Sequence, residues 1–122
     1  MKKVILIVDD ERTIAKAIDQ HFSKKGFETK IAYDGEQALE QVKDFKPDLI
    51  LLDIIMPKVD GMTVLKQLKA SEKTKDIPVI MLTNLGTEKT IEGAKKEGST
   101  DYLVKVDYTL SQLDKKVDEV LK

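Results

Sequence analysis

Five polar residues close four separate apolar runs, and their chemistry is complementary. Asp9 and Asp10 follow Lys3-Val4-Ile5-Leu6-Ile7-Val8, and Asp53 interrupts Leu49-Ile50-Leu51-Leu52-Asp53-Ile54-Ile55. Thr83 is the first polar residue after Ile77-Pro78-Val79-Ile80-Met81-Leu82, and Lys105 ends Asp101-Tyr102-Leu103-Val104. A polar residue at the end of any one run is ordinary; the joint set is not. Three carboxylates brought within a few ångströms repel one another unless a cation sits among them. Oxygen ligands without His or Cys suit a hard ion, and a few carboxylates with waters and a phosphate oxygen suit Mg²⁺. Asp is an established covalent acceptor of phosphoryl groups. An ammonium and a hydroxyl can hold the remaining phosphoryl oxygens. Positioning and charge neutralisation are nearly all that phosphoryl transfer asks of a protein.

For these residues to meet, the runs that carry them must lie side by side and point the same way. Leu and Ile fill six of the first seven positions from Leu49 to Ile55, which reads as a strand buried on both faces, and Pro57 cannot extend its ladder. The run from Lys3 to Val8 reads likewise. Between the strands lie helical patterns. Ile14, Ile18 and Phe22 recur at i, i+4 and i+8, with Gly26 as a left-handed stop. Glu28–Ala32 is short, mixed and charged, as edge strands often are. Asp34 is a cap for a helix whose inner face is Ala38, Leu39, Val42 and Phe45, ended by Lys46-Pro47. Asp60-Gly61 precedes a short helix with Met62, Leu65 and Leu68 inward. Thr87 starts a further helix with Ile91 and Ala94 toward the core and Gly98 as its stop. Thr109 and Gln112 make a T-x-x-Q capping box, with Tyr108 and Leu113 as its staple, for a last helix whose apolar positions are Leu110, Leu113, Val117, Val120 and Leu121. His21 flanks the first helical stripe with no second metal ligand at helical spacing, and reads as a boundary residue. Strands and helices alternate five times. This predicts a doubly wound α/β fold: a five-stranded parallel sheet with helices on both faces. Its strand carboxyl ends lie along one edge, where ligands bind.

With Asp9-Asp10, Asp53 in Asp53-Ile54-Ile55-Met56-Pro57, Asp60-Gly61, Thr83, and Tyr102-Leu103-Val104-Lys105 in this order, the sequence resembles the receiver domain of two-component response regulators along essentially its whole length. The resemblance implies a flavodoxin-like sheet of order 2-1-3-4-5. It implies that Asp53 accepts a phosphoryl group from phosphohistidine, and that Asp10, Asp53 and the backbone carbonyl of Ile55 bind Mg²⁺, with Asp9 helping through water. Lys105 and Thr83 would then act on the phosphoryl oxygens. Thr83 and Tyr102 would form a switch pair that alters the surface made by the Thr87–Gly98 helix, the last strand and the last helix. The implied partners are a sensor histidine kinase or histidine phosphotransfer protein and a downstream protein target, with the domain a monomer or a phosphorylation-dependent dimer. Such a domain signals rather than acting as an enzyme, though it assists its own phosphorylation and dephosphorylation. Two positions depart from the family pattern. Val106 follows Lys105 where a proline in a cis bond is usual, and Asn84 follows Thr83 where Ala or Gly is common. A cis bond before a non-proline residue costs about 2.5–4 kcal/mol, so a trans Lys105–Val106 bond is expected. Ile55 and Leu85, both apolar, would exclude the hydrolytic water and make the phosphorylated form long-lived.

Composition narrows the alternatives. The 122 residues suit one domain, here residues 1–122 as a single receiver. Twenty-one basic residues nearly cancel twenty-two acidic ones, and Arg12 is the one arginine among them. No basic stripe is visible, so direct nucleic-acid binding is not expected. Cysteine is absent, and no apolar run approaches the ~20 residues that span a bilayer, so the expected setting is cytoplasmic and without membrane contact. An aspartyl-phosphate phosphohydrolase would want an acid two residues after the acceptor, where Ile55 stands. A flavin domain would want a phosphate cradle after the first strand, where Asp9-Asp10-Glu11 would repel phosphate. A receiver-like scaffold that works without phosphorylation is the remaining alternative, and the full acidic set argues against it.

Overall fold

The computed structural model describes residues 2–53, 59–83, 96, 101–104 and 110–121. In chain order the elements are β1 (Val4–Val8), α1 (Arg12–Lys24), β2 (Glu28–Ala32), α2 (Gly35–Asp44), β3 (Leu49–Asp53), α3 (Gly61–Ala70), β4 (Val79–Thr83), β5 (Asp101–Val104) and α4 (Leu110–Leu121). Apart from Lys96, which is helical, the residues of the helix expected over Thr87–Gly98 lie outside the described residues, as do the Thr109 cap and the Tyr108 staple.

The strands form one sheet of order β2-β1-β3-β4-β5, and every pairing is parallel. This is the expected doubly wound order, and the reason is visible in the strand side chains. Successive residues of a strand point to opposite faces. In β1, Leu6 and Val8 enter a cluster with Ile50, Leu52, Val79 and Met81 that is covered by Val64, Leu65 and Leu68 of α3 and Ala38 of α2. Ile5 and Ile7 face the other way, joining Leu49, Leu51, Ile80 and Leu82 under Ile18 and Phe22 of α1 and Leu113 and Val117 of α4. β3 is buried at all five positions. β2 is half-exposed and takes the edge, as its mixed composition predicts. On that edge the Gln41 amide of α2 donates to the Ile31 carbonyl at 2.9 Å, and the Ser23 and Thr29 hydroxyls meet at 2.8 Å.

The turns explain where elements stop. Gly26 has φ 99°, in the left-handed region that favours glycine. Its amide donates to the Ser23 carbonyl, and the Phe27 amide reaches back to the Phe22 carbonyl, each at 3.1 Å. That is the Schellman arrangement, and the Phe22 and Phe27 rings meet edge to face across it at 5.7 Å. Asp34 caps α2 by accepting from the Gln37 amide at 2.8 Å, and Asp60 caps α3 by accepting from the Thr63 amide at 2.9 Å. Gly35 sits where a Cβ would stand 2.1 Å from the Val59 carbonyl oxygen, so α2 begins in direct apposition to the loop before α3.

Three details differ from the sequence reading. β4 starts at Val79 rather than Ile77, because the Ile77 amide turns back to the Thr74 carbonyl at 3.0 Å and Pro78 has no amide to donate. In α3, Val64 is fully buried while Met62 is only partly so, the buried set being Gly61, Val64, Leu65 and Leu68 at i, i+3, i+4 and i+7. Leu110 is exposed, because it opens α4 a turn short of the core that Leu113 and Val117 reach.

Candidate functional site

The first observation is the row that the topology makes at the carboxyl edge. Asp9 directly follows β1, its amide donating to the Ala32 carbonyl of β2 at 3.0 Å. Asp53 ends β3, the strand on the other side of β1, and pairs in register with Leu82 of β4. Residues 44 positions apart in sequence thereby become neighbours. Asp9, Asp10 and Asp53 each offer one carboxylate oxygen, and these three oxygens lie within 4.8 Å of one another. Asp9 and Asp53 are buried, while Asp10 is exposed. The Glu11 amide donates to Asp9 Oδ1 at 2.9 Å, which fixes the acid against the start of α1.

Thr83 closes β4 one residue beyond the partner of Asp53, and its backbone pairs with Val104. Tyr102 lies in β5 opposite Met81. Ile55, Leu85, Lys105 and the Lys105–Val106 bond fall outside the described residues. The carboxylate trio is therefore gathered as the sequence reading expected, and the strand carrying Thr83 is beside Asp53.

The approach to β4 is held by a cation. Lys69, near the end of α3, donates to the carbonyls of Ile77 at 2.8 Å and Lys75 at 3.1 Å. Burial lowers its affinity for the proton below that of an ordinary lysine, partly offset by the charge of Asp76. The Thr74 hydroxyl in the same turn donates to the Leu68 carbonyl at 2.6 Å.

Two features escaped the sequence reading. The Arg12 guanidinium, at the first position of α1, lies 4.0 Å from the centroid of the Tyr33 ring, just past the end of β2. The signal for it was composition: one arginine where every other basic residue is lysine. His21 meets Asp114 of α4 at 2.6 Å, and Lys25 meets the same carboxylate oxygen at 3.2 Å. No local pattern marks this cluster, since its members are 93 residues apart.

The comparisons with known proteins decide the family. Residues 5–118 match the model of the response regulator receiver domain. The chain belongs to this family. As a receiver domain it is a signalling module of two-component systems. It is 41% identical over 102 residues to the DNA-binding dual master transcriptional regulator RpaA of Synechocystis, covering 83% of this chain and 42% of that protein. It is 38% identical over 105 residues to the alkaline phosphatase synthesis transcriptional regulatory protein PhoP of Bacillus subtilis, covering 86% of this chain and 43% of that one. Among solved structures, the chemotaxis protein CheY4 of Vibrio cholerae superposes with a TM-score of 0.93 at 28% identity, covering 99% of this chain and 100% of that one. The receiver domain of the Francisella response regulator 1452 gives 0.90 at 32% identity, covering 98% and 97%.

These relatives correct one expectation. A near-neutral composition without a basic stripe predicts no direct nucleic-acid binding, yet relatives such as RpaA are named as DNA-binding regulators of transcription. The physical reason is one of scope. This chain spans less than half the length of RpaA and PhoP, and charge balance reports only on the residues counted. The receiver's composition therefore does not decide whether DNA is a partner. No helix among the described residues is long and apolar enough to cross a membrane.

Proposed function

We propose that residues 1–122 act as one receiver in which Asp53 takes a phosphoryl group from the phosphohistidine of a histidine kinase. The observation that carries this reading is the convergence of Asp9, Asp10 and Asp53 from two neighbouring strands, with two of the three carboxylates buried. Burying carboxylates together is costly without a cation. A donor set made only of oxygens, gathered this closely, fits Mg²⁺. Asp10, Asp53 and the Ile55 carbonyl would hold the ion, with Asp9 behind them. Bound there, it would neutralise charge on the phosphoryl oxygens as they approach the acidic site.

The chain's own residues supply the rest. Asp53 presents an oxygen to phosphorus, Lys105 takes one phosphoryl oxygen and Thr83 another. In this sense the domain assists its own phosphorylation and, later, its dephosphorylation. Movement of Thr83 toward the phosphoryl group opens space for Tyr102, and the surface around β5 changes between two packings. Ile55 and Leu85 keep the attacking water out and prolong the phosphorylated state. Because relatives of this chain are named as regulators of transcription, the signal's final target includes DNA.

Intact-mass measurement with acetyl phosphate and Mg²⁺ tests the assignment. One phosphoryl group is expected on the unaltered protein, and none on Asp53→Asn or with excess chelator. Modification that persists in either case overturns it.

A further inference from the structure

We propose that Arg12, stacked on Tyr33, is a positioning residue that draws the phosphoryl dianion of the donor toward an edge otherwise lined with carboxylates. The inference rests on the phosphoacceptor reading of Asp53 and adds a residue to it.

The placement of Arg12 calls for an account because its local energetics are poor. It opens α1, where the unpaired amides make the helix end positive, and a cation there is repelled. The first turn carries no acidic residue, and Glu11 gives no side-chain cap. Among the described residues no carboxylate forms an ion pair with Arg12, and its side chain is exposed. What holds it is the face of Tyr33, whose ring is anchored in the α1-side core. Stacking of this kind suits a planar guanidinium, which is more weakly hydrated than an ammonium and presents its N–H groups at the edges. That explains why the single arginine stands here among lysines.

The register gives the distance over which it works. Tyr33, Asp9 and Asp53 follow or end three adjacent strands, β2, β1 and β3. Neighbouring strands are about 4.8 Å apart, so the backbone of Tyr33, whose ring lies under Arg12, stands roughly 10 Å from that of Asp53. That is too far for contact with the transferring group and close enough for its field to be felt at low salt. An arriving donor bears about two negative charges and meets three carboxylates; Arg12 is the positive flank of that approach. In the transfer itself, an Asp53 oxygen forms the new bond to phosphorus as the bond from phosphorus to the acyl oxygen or imidazole nitrogen breaks. The leaving group departs with that electron pair, and imidazole takes its proton from water. Arg12 touches none of these atoms, so its effect belongs to donor capture and not to the rate at saturation.

The experiment measures initial phosphorylation rates against donor concentration for the intact chain with saturating Mg²⁺, using acetyl phosphate and monophosphoimidazole in parallel. At the lowest constant ionic strength that the Mg²⁺ and donor salts allow, Arg12→Gln is expected to raise KM for both donors about threefold, with the maximal rate unchanged. The difference should vanish near 1 M salt, where the screening length is about 3 Å. Tyr33→Leu should reproduce part of the rise, and the conservative Tyr33→Phe, which keeps the ring face, should restore the low KM. Loss of a cation beside three carboxylates does not weaken Mg²⁺ binding, so a direct Mg²⁺ titration separates capture from metal loss. An unchanged KM, a fall confined to the maximal rate, or an effect on one donor alone overturns the proposal. Failure of the Asp53 reading looks different: the unaltered protein, or Asp53→Asn, gives the wrong modification whatever residue stands at position 12.

Discussion

On one face of the sheet α2 and α3 are each started by an aspartate that binds its own helix, Asp34 at the Gln37 amide and Asp60 at the Thr63 amide. On the other face α1 and α4 have no such described cap, and are joined instead by His21 and Lys25 converging on Asp114. The cores beneath differ in the same sense. The α2–α3 side is aliphatic among its fully buried residues, whereas the α1–α4 side is built around the buried ring of Phe22. The starts of α2 and α3 are held by local signals, whereas α1 and α4 are tied to each other by a contact between distant parts of the chain. Each mode fails differently when it is cut.

The largest expected effect is on the aromatic side. Phe22→Ala should destabilise the fold by about 3–5 kcal/mol, since it empties a core site and removes the ring contact that seals the end of α1. Urea denaturation measures it, and a loss below about 1 kcal/mol would mean that this face collapses around the gap. Next comes Gly35→Ala on the opposite side, expected to cost about 1–3 kcal/mol because the added methyl meets the Val59 backbone carbonyl. Val59→Ala on that background should not rescue it, as the nearest atom belongs to the main chain. Smaller again are the caps: Asp34→Ala and Asp60→Ala should each cost about 1 kcal/mol. A double-mutant cycle on His21 and Asp114 should give about 0.5–1 kcal/mol of coupling, the range for half-exposed pairs. Zero coupling there would remove the distinction between the faces. The smallest effect concerns Lys69. Its folded proton affinity is lowered, so just below the ordinary lysine value of 10.5 the unfolded chain binds more protons. Stability from this group therefore rises with pH in that window, and the slope should be lost in Lys69→Gln, read as the difference between two denaturation series.

The same contrast sets what the sequence disclosed. Features that need one strand or one turn were legible. The burial of β1 and β3 on both faces, the left-handed Gly26 and the Asp34 cap each follow from a rule that spans a few residues. The acidic trio was legible for a less local reason: every strand ends at one edge of a parallel sheet, so polarity at strand ends could be added up before the strand order was known. Contacts between side chains on different elements were not legible. Nothing near Gly35 announces the Val59 carbonyl, and nothing near His21 announces Asp114. Leu110 erred the other way: its helical spacing is right, but periodicity does not tell where a helix overruns its core. The charge count failed as a guide to partners because relatives that this chain matches over less than half of their own length are named as DNA-binding regulators.

The edge strand has a consequence of another kind. A strand with one unpaired side is an invitation to further pairing, and a second copy could in principle extend the sheet there. β2 bonds to β1 through Glu28, Lys30 and Ala32, which leaves the backbone groups of Thr29 and Ile31 facing away from β1. The Ile31 carbonyl is already engaged by Gln41, the Thr29 hydroxyl by Ser23, and the Lys30 ammonium lies over the Phe45 ring, 5.3 Å from its centroid. An added strand would have to displace the amide of α2 and crowd a lysine. The side chains of two neighbouring helices thus add to the shortness and charge of the strand itself in guarding this flank against templated aggregation.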